Sequence, residues 1–252
     1  MSRSLLALAA AVALAGCGAG GHHQPKMDPQ VEAANKIRTA QSYVTAGRTA
    51  EALDLLREAE ALQPKNAGIA NYQGQILFLA GRYAEAEAAL RRALQIDPFL
   101  ADAHNNLGAL YDRMGKKDAA EVEFRTALDQ PGYPTPEKVY LNLGLLYISQ
   151  GRKDEAVTEL RRAVEISPKY YQAQFELASL LDSMGNLEEA VRLYEVAAPE
   201  YRSRGDYHYR IGFAYFRLGD RVKSADHLRR AMDVSPGSES AAKADELLKT
   251  MH

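Results

Sequence analysis

Residues 74–98 read Gly74-Gln-Ile-Leu77-Phe-Leu-Ala-Gly81-Arg-Tyr-Ala-Glu-Ala86-Glu-Ala-Ala-Leu90-Arg-Arg-Ala93-Leu-Gln-Ile-Asp-Pro98. Apolar residues on either side of Gly81 recur every three or four positions, which is the period of a helix and not of a strand. Gly81 lies where the first helix would end on a left-handed residue, a conformation that costs any residue with a Cβ free energy. Pro98 lies where the second helix would stop, because proline lacks the N–H that continues it.

The same signature recurs along most of the chain. Glycines stand at 47, 81, 115, 151, 185 and 219, spaced 34, 34, 36, 34 and 34 residues apart. Five residues after each come Ala52, Ala86, Ala120, Ala156, Ala190 and Ser224, and twelve after each come Ala59, Ala93, Ala127, Ala163, Ala197 and Ala231. Before each glycine, a small residue (Ala40, Gly74, Gly108, Gly144, Ala178, Gly212) precedes a large one by three positions (Tyr43, Leu77, Tyr111, Tyr147, Leu181, Tyr215). Leu56, Leu90, Phe124, Leu160, Tyr194 and Leu228 complete the register. Small residues at fixed positions let paired helices approach closely, and the large ones fill the seams between neighbours. A fixed period in this range is the mark of a stacked array, with one continuous core instead of separate domains.

This register resembles the tetratricopeptide repeat. The resemblance implies an all-α fold: a right-handed superhelical solenoid of six helix-turn-helix units over 33–238, divided as 33–66, 67–100, 101–134, 137–170, 171–204 and 205–238. The tryptophan of that family is replaced throughout by Lys36, Ala70, His104, Tyr140, Gln174 and His208. Two departures from regularity stand out. The segment Asp129–Pro136 adds two residues between units three and four, and Pro199 falls inside the second helix of unit five, where it is expected to break or kink it. Ala244, Leu247, Leu248 and Met251 share one helical face, so 239–252 is expected to cap the last unit.

The amino terminus has a different character. Arg3 precedes an apolar run from Leu5 to Ala15 that is too short to span a bilayer and ends in small residues, as a signal peptide does. Leu14-Ala15-Gly16-Cys17 at its end resembles the lipobox of bacterial lipoproteins. That resemblance implies cleavage after residue 16, acylation of Cys17 and, with Gly18 next instead of aspartate, delivery to the outer membrane. Residues 17–32 are then a flexible tether rich in Gly and Pro, in which His22 and His23 are expected to be solvated linker residues and not metal ligands.

Several classes of function are excluded by composition. With 31 Lys+Arg against 33 Asp+Glu, the net charge of −2 provides no basic field for nucleic acid. One cysteine closes no intramolecular disulfide. The six histidines show no metal-ligand spacing, the glycines are accounted for by the repeat, and no catalytic constellation is visible. The chain therefore reads as a non-enzyme with no cofactor, no metal and no small-molecule substrate.

What remains is a protein-binding groove. With the repeat's geometry borrowed from the resemblance, the first helix of each unit points three rows into the concave face: Ile37, Asn71, Asn105, Leu141, Phe175, Tyr209; then Gln41, Gln75, Ala109, Leu145, Ser179, Phe213; then Val44, Phe78, Asp112, Ile148, Asp182, Phe216. The partner surface is expected at Asn71, Phe78, Asn105, Leu141, Leu145, Ile148, Phe175, Tyr209, Phe213 and Phe216. It is polar in units two and three and apolar in units four to six, and it would suit a peptide with aromatic or aliphatic anchors.

The whole plan of lipobox, tether, six units and mid-array interruption is similar to the type IV pilus biogenesis lipoproteins, the pilotins of the PilF, PilW and Tgl group. The local likeness is sharpest at Gly132-Tyr133-Pro134-Thr135-Pro136-Glu137 leading into Asn142-Leu143-Gly144-Leu145. The resemblance implies an outer-membrane protein, facing the periplasm, that binds the pilus secretin and promotes its assembly. A general envelope scaffold that recruits cell-wall hydrolases would use the same anchor and the same repeats.

Overall fold

The computed structural model describes residues 27–251, so Cys17, His22, His23 and the expected signal lie outside the described residues. Within them the chain is thirteen α-helices with no strand: α1 (Pro29–Thr45), α2 (Thr49–Leu62), α3 (Ala67–Leu79), α4 (Tyr83–Ile96), α5 (Ala101–Arg113), α6 (Lys117–Leu128), α7 (Pro136–Ser149), α8 (Lys153–Ile166), α9 (Tyr171–Met184), α10 (Leu187–Tyr201), α11 (Gly205–Arg217), α12 (Arg221–Val234) and α13 (Glu239–Thr250). Each odd helix packs on the even helix that follows it, and each pair stacks on the next.

The turn within each pair is built the same way. Gly115 has φ 77°. Its N–H donates to the Asp112 carbonyl at 3.0 Å, and the N–H of Lys116 donates back to the Tyr111 carbonyl at 2.9 Å. This left-handed closure satisfies carbonyls that the helix end would otherwise leave unpaired. Inside the pair, the alanines five and twelve residues past each turn are fully buried. A Cβ on Gly108 would lie 2.7 Å from Phe124 Cδ1, and one on Gly144 would lie 2.6 Å from Leu160 Cγ. Here glycine is required by close approach and not by backbone conformation.

The odd helices carry polar ties between units. Tyr147 is completely buried, and its hydroxyl accepts from Arg125 Nη2 at 2.8 Å and donates to Glu121. Tyr111 accepts from Arg91 and donates to Glu87 in the same register, and Tyr215 donates to Glu195. In each case a tyrosine of one unit is bonded to the second helix of the unit before it.

Three expectations meet a different outcome or a new detail. α1 begins at Pro29, so residues 29–32, assigned above to the tether, form its first turn. The reason is a cap: Asp28 Oδ1 accepts the Gln30 N–H at 2.7 Å, with Pro29 at the first helical position. α10 is not broken at Pro199 but continues to Tyr201. Proline there forfeits one bond near the end of the helix, worth about 1 kcal/mol, while Tyr201 is held by stacking on Phe175 at 4.4 Å. The two-residue insertion folds back on the array, where the Tyr133 hydroxyl donates to Asp102 Oδ1 of α5 at 3.0 Å. Burial pushes that phenol up to about 12.

At the far end Ser238 caps α13, its Oγ accepting the Ala241 N–H at 3.2 Å. Ala244 closes over Leu228 and Ala231 of α12, flanked by Leu247, Leu248 and Met251.

Candidate functional site: the inner face of the array

Successive odd helices touch one another: α3 meets α5, α5 meets α7, α7 meets α9, and α11 meets α13. The odd helices thus form the inner face, and the residues they leave half-exposed are what a partner would meet.

Units two to four carry a ladder of amides along this face. Asn106 Nδ2 donates to Asn71 Oδ1 at 2.8 Å, and Asn142 Nδ2 donates to Asn105 Oδ1 at 2.8 Å. Each rung ties one inner helix to the next. Asn71 is buried and Asn105 half-buried in this ladder. Phe78 is half-buried and packs near Tyr83, with ring centroids 6.0 Å apart and planes tilted by 41°.

Two of the expected anchors are not on the surface at all. Leu141 is 2% exposed and Phe175 is 6% exposed, and both belong to the main core. Phe175 is enclosed by Tyr201, Tyr194 and Tyr207, with centroids 4.4, 5.5 and 6.5 Å away. The borrowed geometry placed them in the groove, but Tyr194 and Tyr201 of α10 and Tyr207 of α11 close over Phe175, and Leu141 is packed into the same core. Leu145 and Ile148 are half-buried against the same core. Tyr209 leans on the small core beneath α13 and stacks on Phe213 at 6.1 Å and 13°. Phe216 is half-buried on α11.

A concavity on this face lies at its carboxyl-terminal end. A pocket of about 610 Å³ opens between α9, α11 and α13. Tyr209 and Phe213 form its apolar wall, with Ser179 and Asp182 on one side and Arg210, Arg217 and Lys243 on the other. Arg217 Nη1 bonds Asp182 Oδ1 at 2.5 Å and its backbone carbonyl at 3.0 Å. Burial raises Asp182 above the ordinary carboxylate range, opposed by Arg217 and Arg210. Burial raises Glu176 too, against the pull of Arg210 and Arg204. Lys243 pairs with Glu239 at 2.6 Å. The pocket is therefore amphipathic, with an aromatic wall beside a balanced set of charges. Arg210 and Arg217 each stand one position past a row read from the sequence, at the offset that also holds Asn106 and Asn142. The rows were drawn one residue too narrow, and α13, which supplies Lys243, has no place in a six-unit register.

The structure also brings together two histidines that sequence spacing keeps apart. His208 Nδ1 and His227 Nδ1 are 3.1 Å apart, and His208 Nε2 is 2.9 Å from the Arg202 carbonyl. A carbonyl only accepts, so neutral His208 carries its proton on Nε2 and His227 donates to its Nδ1. His104 makes the equivalent bond to the Pro98 carbonyl at 3.1 Å, and Gln174 makes it to the Pro168 carbonyl at 3.2 Å. At three of its six positions, the column that holds tryptophan in the resembling family here ties an inner helix (α5, α9 or α11) to the turn before it. Among the described residues no group of three or more His, Cys, Asp or Glu side chains is placed to hold a metal.

This pair makes the last unit acid-sensitive. Burial lowers His208, and burial followed by the His208 and Arg230 charges lowers His227 to about 4, with Asp226 and Glu195 opposing. Unfolded histidine binds a proton near pH 6.5, so stability is complete above that value and is lost as pH falls toward 4. His104 acts in the opposite sense, because its bond to Glu123 raises it. Its contribution is complete below about 6.5 and fades as pH rises. Unit five has Gln174 and Leu193 at the positions of His208 and His227. The double variant His208→Gln, His227→Leu should therefore lose about 1–2 kcal/mol less stability than wild type between pH 7 and 5, read from urea unfolding midpoints. An unchanged pH slope would show that the pair does not titrate with folding.

Comparison with known proteins follows this geometry closely. Models of the tetratricopeptide repeat match residues 37–101 and 105–171, residues 77–132 and 147–211, and residues 206–238. No curated protein matches the chain by sequence. Among solved structures, PilW, described as a widely conserved type IV pilus biogenesis factor, is 24% identical, with a TM-score of 0.74 over 84% of this chain and 97% of its own. PilF of Pseudomonas aeruginosa is 19% identical, with a TM-score of 0.78 over 87% of this chain and 99% of its own. YrrB, described as having an unusual peptide-binding site, is 23% identical, with a TM-score of 0.60 over 76% of this chain and 97% of its own. At these identities the likeness is one of fold. With repeat models matching more than half its length and the helix-pair array to account for them, this chain belongs to the tetratricopeptide repeat family.

Proposed function

We propose that this chain is a lipid-anchored periplasmic scaffold of the type IV pilus machinery, a pilotin that binds the pilus secretin and carries it to the outer membrane for assembly. The observation that carries the reading is the closeness of the whole array to PilW and PilF, with TM-scores of 0.74 and 0.78 against 0.60 for YrrB, over nearly the whole of each. The lipobox resemblance at Cys17 supports the anchor. No helix among the described residues is long and apolar enough to cross a membrane. Acylation would supply attachment, and the inner face would supply recognition. Holding the partner at the membrane raises its local concentration and favours multimer formation without a chemical step.

Recognition is assigned to the pocket between α9, α11 and α13, where Phe213 gives an apolar anchor point and Arg210 a charge beside it. Crosslinking in cells, followed by identification of the captured protein, tests the assignment. The double variant Phe213→Glu, Arg210→Glu should keep its helical circular dichroism yet bind its partner about thirtyfold more weakly and recover correspondingly less of it, since truncating an interface hot spot typically costs about 2 kcal/mol or more. Undiminished recovery would move binding to another face. Capture of cell-wall hydrolases in place of a secretin would decide for the general envelope scaffold.

A further inference from the structure

Every odd helix runs one way and every even helix the other, so the turns between units and the start of α1 share one edge of the array. At the amino-terminal end this edge is hollow. Residues from the α1 cap, the α2–α3 turn and the α4–α5 turn line a single cavity of about 860 Å³, with Leu62, Pro64, Ile96 and Leu100 in its walls. Three large apolar residues adjoin its lining residues in sequence and are exposed: Phe99 by 74%, Met27 by 54% and Val31 by 52%; the Met27 sulfur lies back along α1, 3.6 Å from Asn35 Nδ2. Phe99 follows Pro98 in a turn held by its N–H bond to Asp97 Oδ1 at 3.0 Å. The nearby carboxylates are occupied: Asp97 in that bond, Asp28 in capping α1, and Glu32 beside Lys36 at 3.5 Å.

The occupant is indicated by where the described chain begins. Cys17 precedes Met27 by ten residues, a stretch that spans at most about 36 Å when fully extended. The opposite edge lies one helix length further off, about 20 Å at 1.5 Å per residue. Of the two edges, the one that carries Met27, Val31 and Phe99 therefore meets a bilayer holding acyl chains on Cys17 with the shorter tether.

We propose that this edge is a second membrane contact, in which Phe99 and Val31 enter the headgroup region of the same phospholipid leaflet that holds the anchor. The proposal rests on the lipid-anchor reading above. An apolar side chain at the interface adds to membrane affinity in proportion to the area it buries, so docking would turn a loose tether into a fixed orientation. The pocket lined by Phe213 would then be presented from the far end of the array.

The test uses the full acylated chain in vesicles of phosphatidylethanolamine and phosphatidylglycerol, with an environment-sensitive dye on Lys65→Cys beside the cavity or on Leu79→Cys at the opposite edge. Acylated Cys17 offers no free thiol. Flotation with the vesicles reports the anchor, and quenching by nitroxide-bearing lipid reports the docked edge. We expect several-fold stronger quenching at 65 than at 79, with most of the difference lost in a Phe99→Ser background that still floats. Floating protein with equal quenching at both sites, or quenching at 65 that ignores Phe99→Ser, would overturn the proposal. So would a dye at 65 that is shielded only when soluble envelope proteins are added, which would give this edge to a protein partner. Failure to float would instead remove the anchor reading and the docking with it.

Discussion

Replacing Tyr147 by alanine is expected to divide the array into two separately melting halves. The ring is completely buried between units three and four and lies 4.0 Å beneath the Arg152 guanidinium. Its hydroxyl joins Arg125 and Glu121, and Glu121 also receives Arg152 Nη1 at 2.8 Å. Burial works against the Glu121 charge, yet the bonds from Tyr147 and Arg152 hold its carboxyl below the ordinary range. Truncating a buried aromatic to alanine costs about 3–5 kcal/mol through lost transfer energy and the cavity left behind. In a stacked array each unit touches only its neighbours, so a loss at one interface stays local and uncouples the two sides. Denaturant unfolding should change from one transition to two, with hydrogen exchange rising first around α6 and α7. Tyr147→Phe keeps the ring and loses only the hydroxyl bonds, so it should cost about 1 kcal/mol and leave one transition. An alanine variant with an unshifted single transition would refute the junction's importance.

The second large effect concerns localisation. Cys17→Ser should move the chain almost completely from the membrane fraction to the soluble periplasm. A buried methylene contributes about 0.8 kcal/mol, so two or three acyl chains hold a protein far more firmly than any side chain of this fold could. Residue 17 lies outside the described helices, and the isolated variant should therefore show unchanged helical content and the same thermal midpoint. Partner capture by the purified protein should persist, because the pocket is untouched, while secretin multimers and pili should be lost in cells. This combination separates the anchor from the groove. A variant that still pellets with membranes and supports normal multimers would end the pilotin reading, whereas loss of folding would mean that the amino terminus has a structural role.

The repeat was legible because it is over-determined. Six glycines, six alanines at a fixed offset and a matching column of large residues each require the same helix pair, and all are satisfied: positive φ at the turns, complete burial at the alanines, and contact distances at Gly108 and Gly144 that leave no room for a Cβ. The inner face was legible only in part. Asn105, Tyr209 and Phe213 are half-buried along it, but Asn71 is buried in the amide ladder, and Leu141 and Phe175 of the same row are core residues.

Local patterning alone thus determined the class of fold, the number of units, the place of each turn and the identity of the cap, because these depend on periods and offsets within some forty residues. Which apolar residues remain open to a partner was decided only by tertiary structure. Exposure on the inner face depends on how α10 and α11 close over α9 and on where α13 folds back. The contacts that do so are Tyr201 on Phe175 and Ala244 on Leu228 and Ala231. The pairing of His208 with His227, and the meeting of the α1 cap with the α2–α3 and α4–α5 turns about one cavity, have the same origin: contacts between successive helices, which a one-dimensional pattern does not contain.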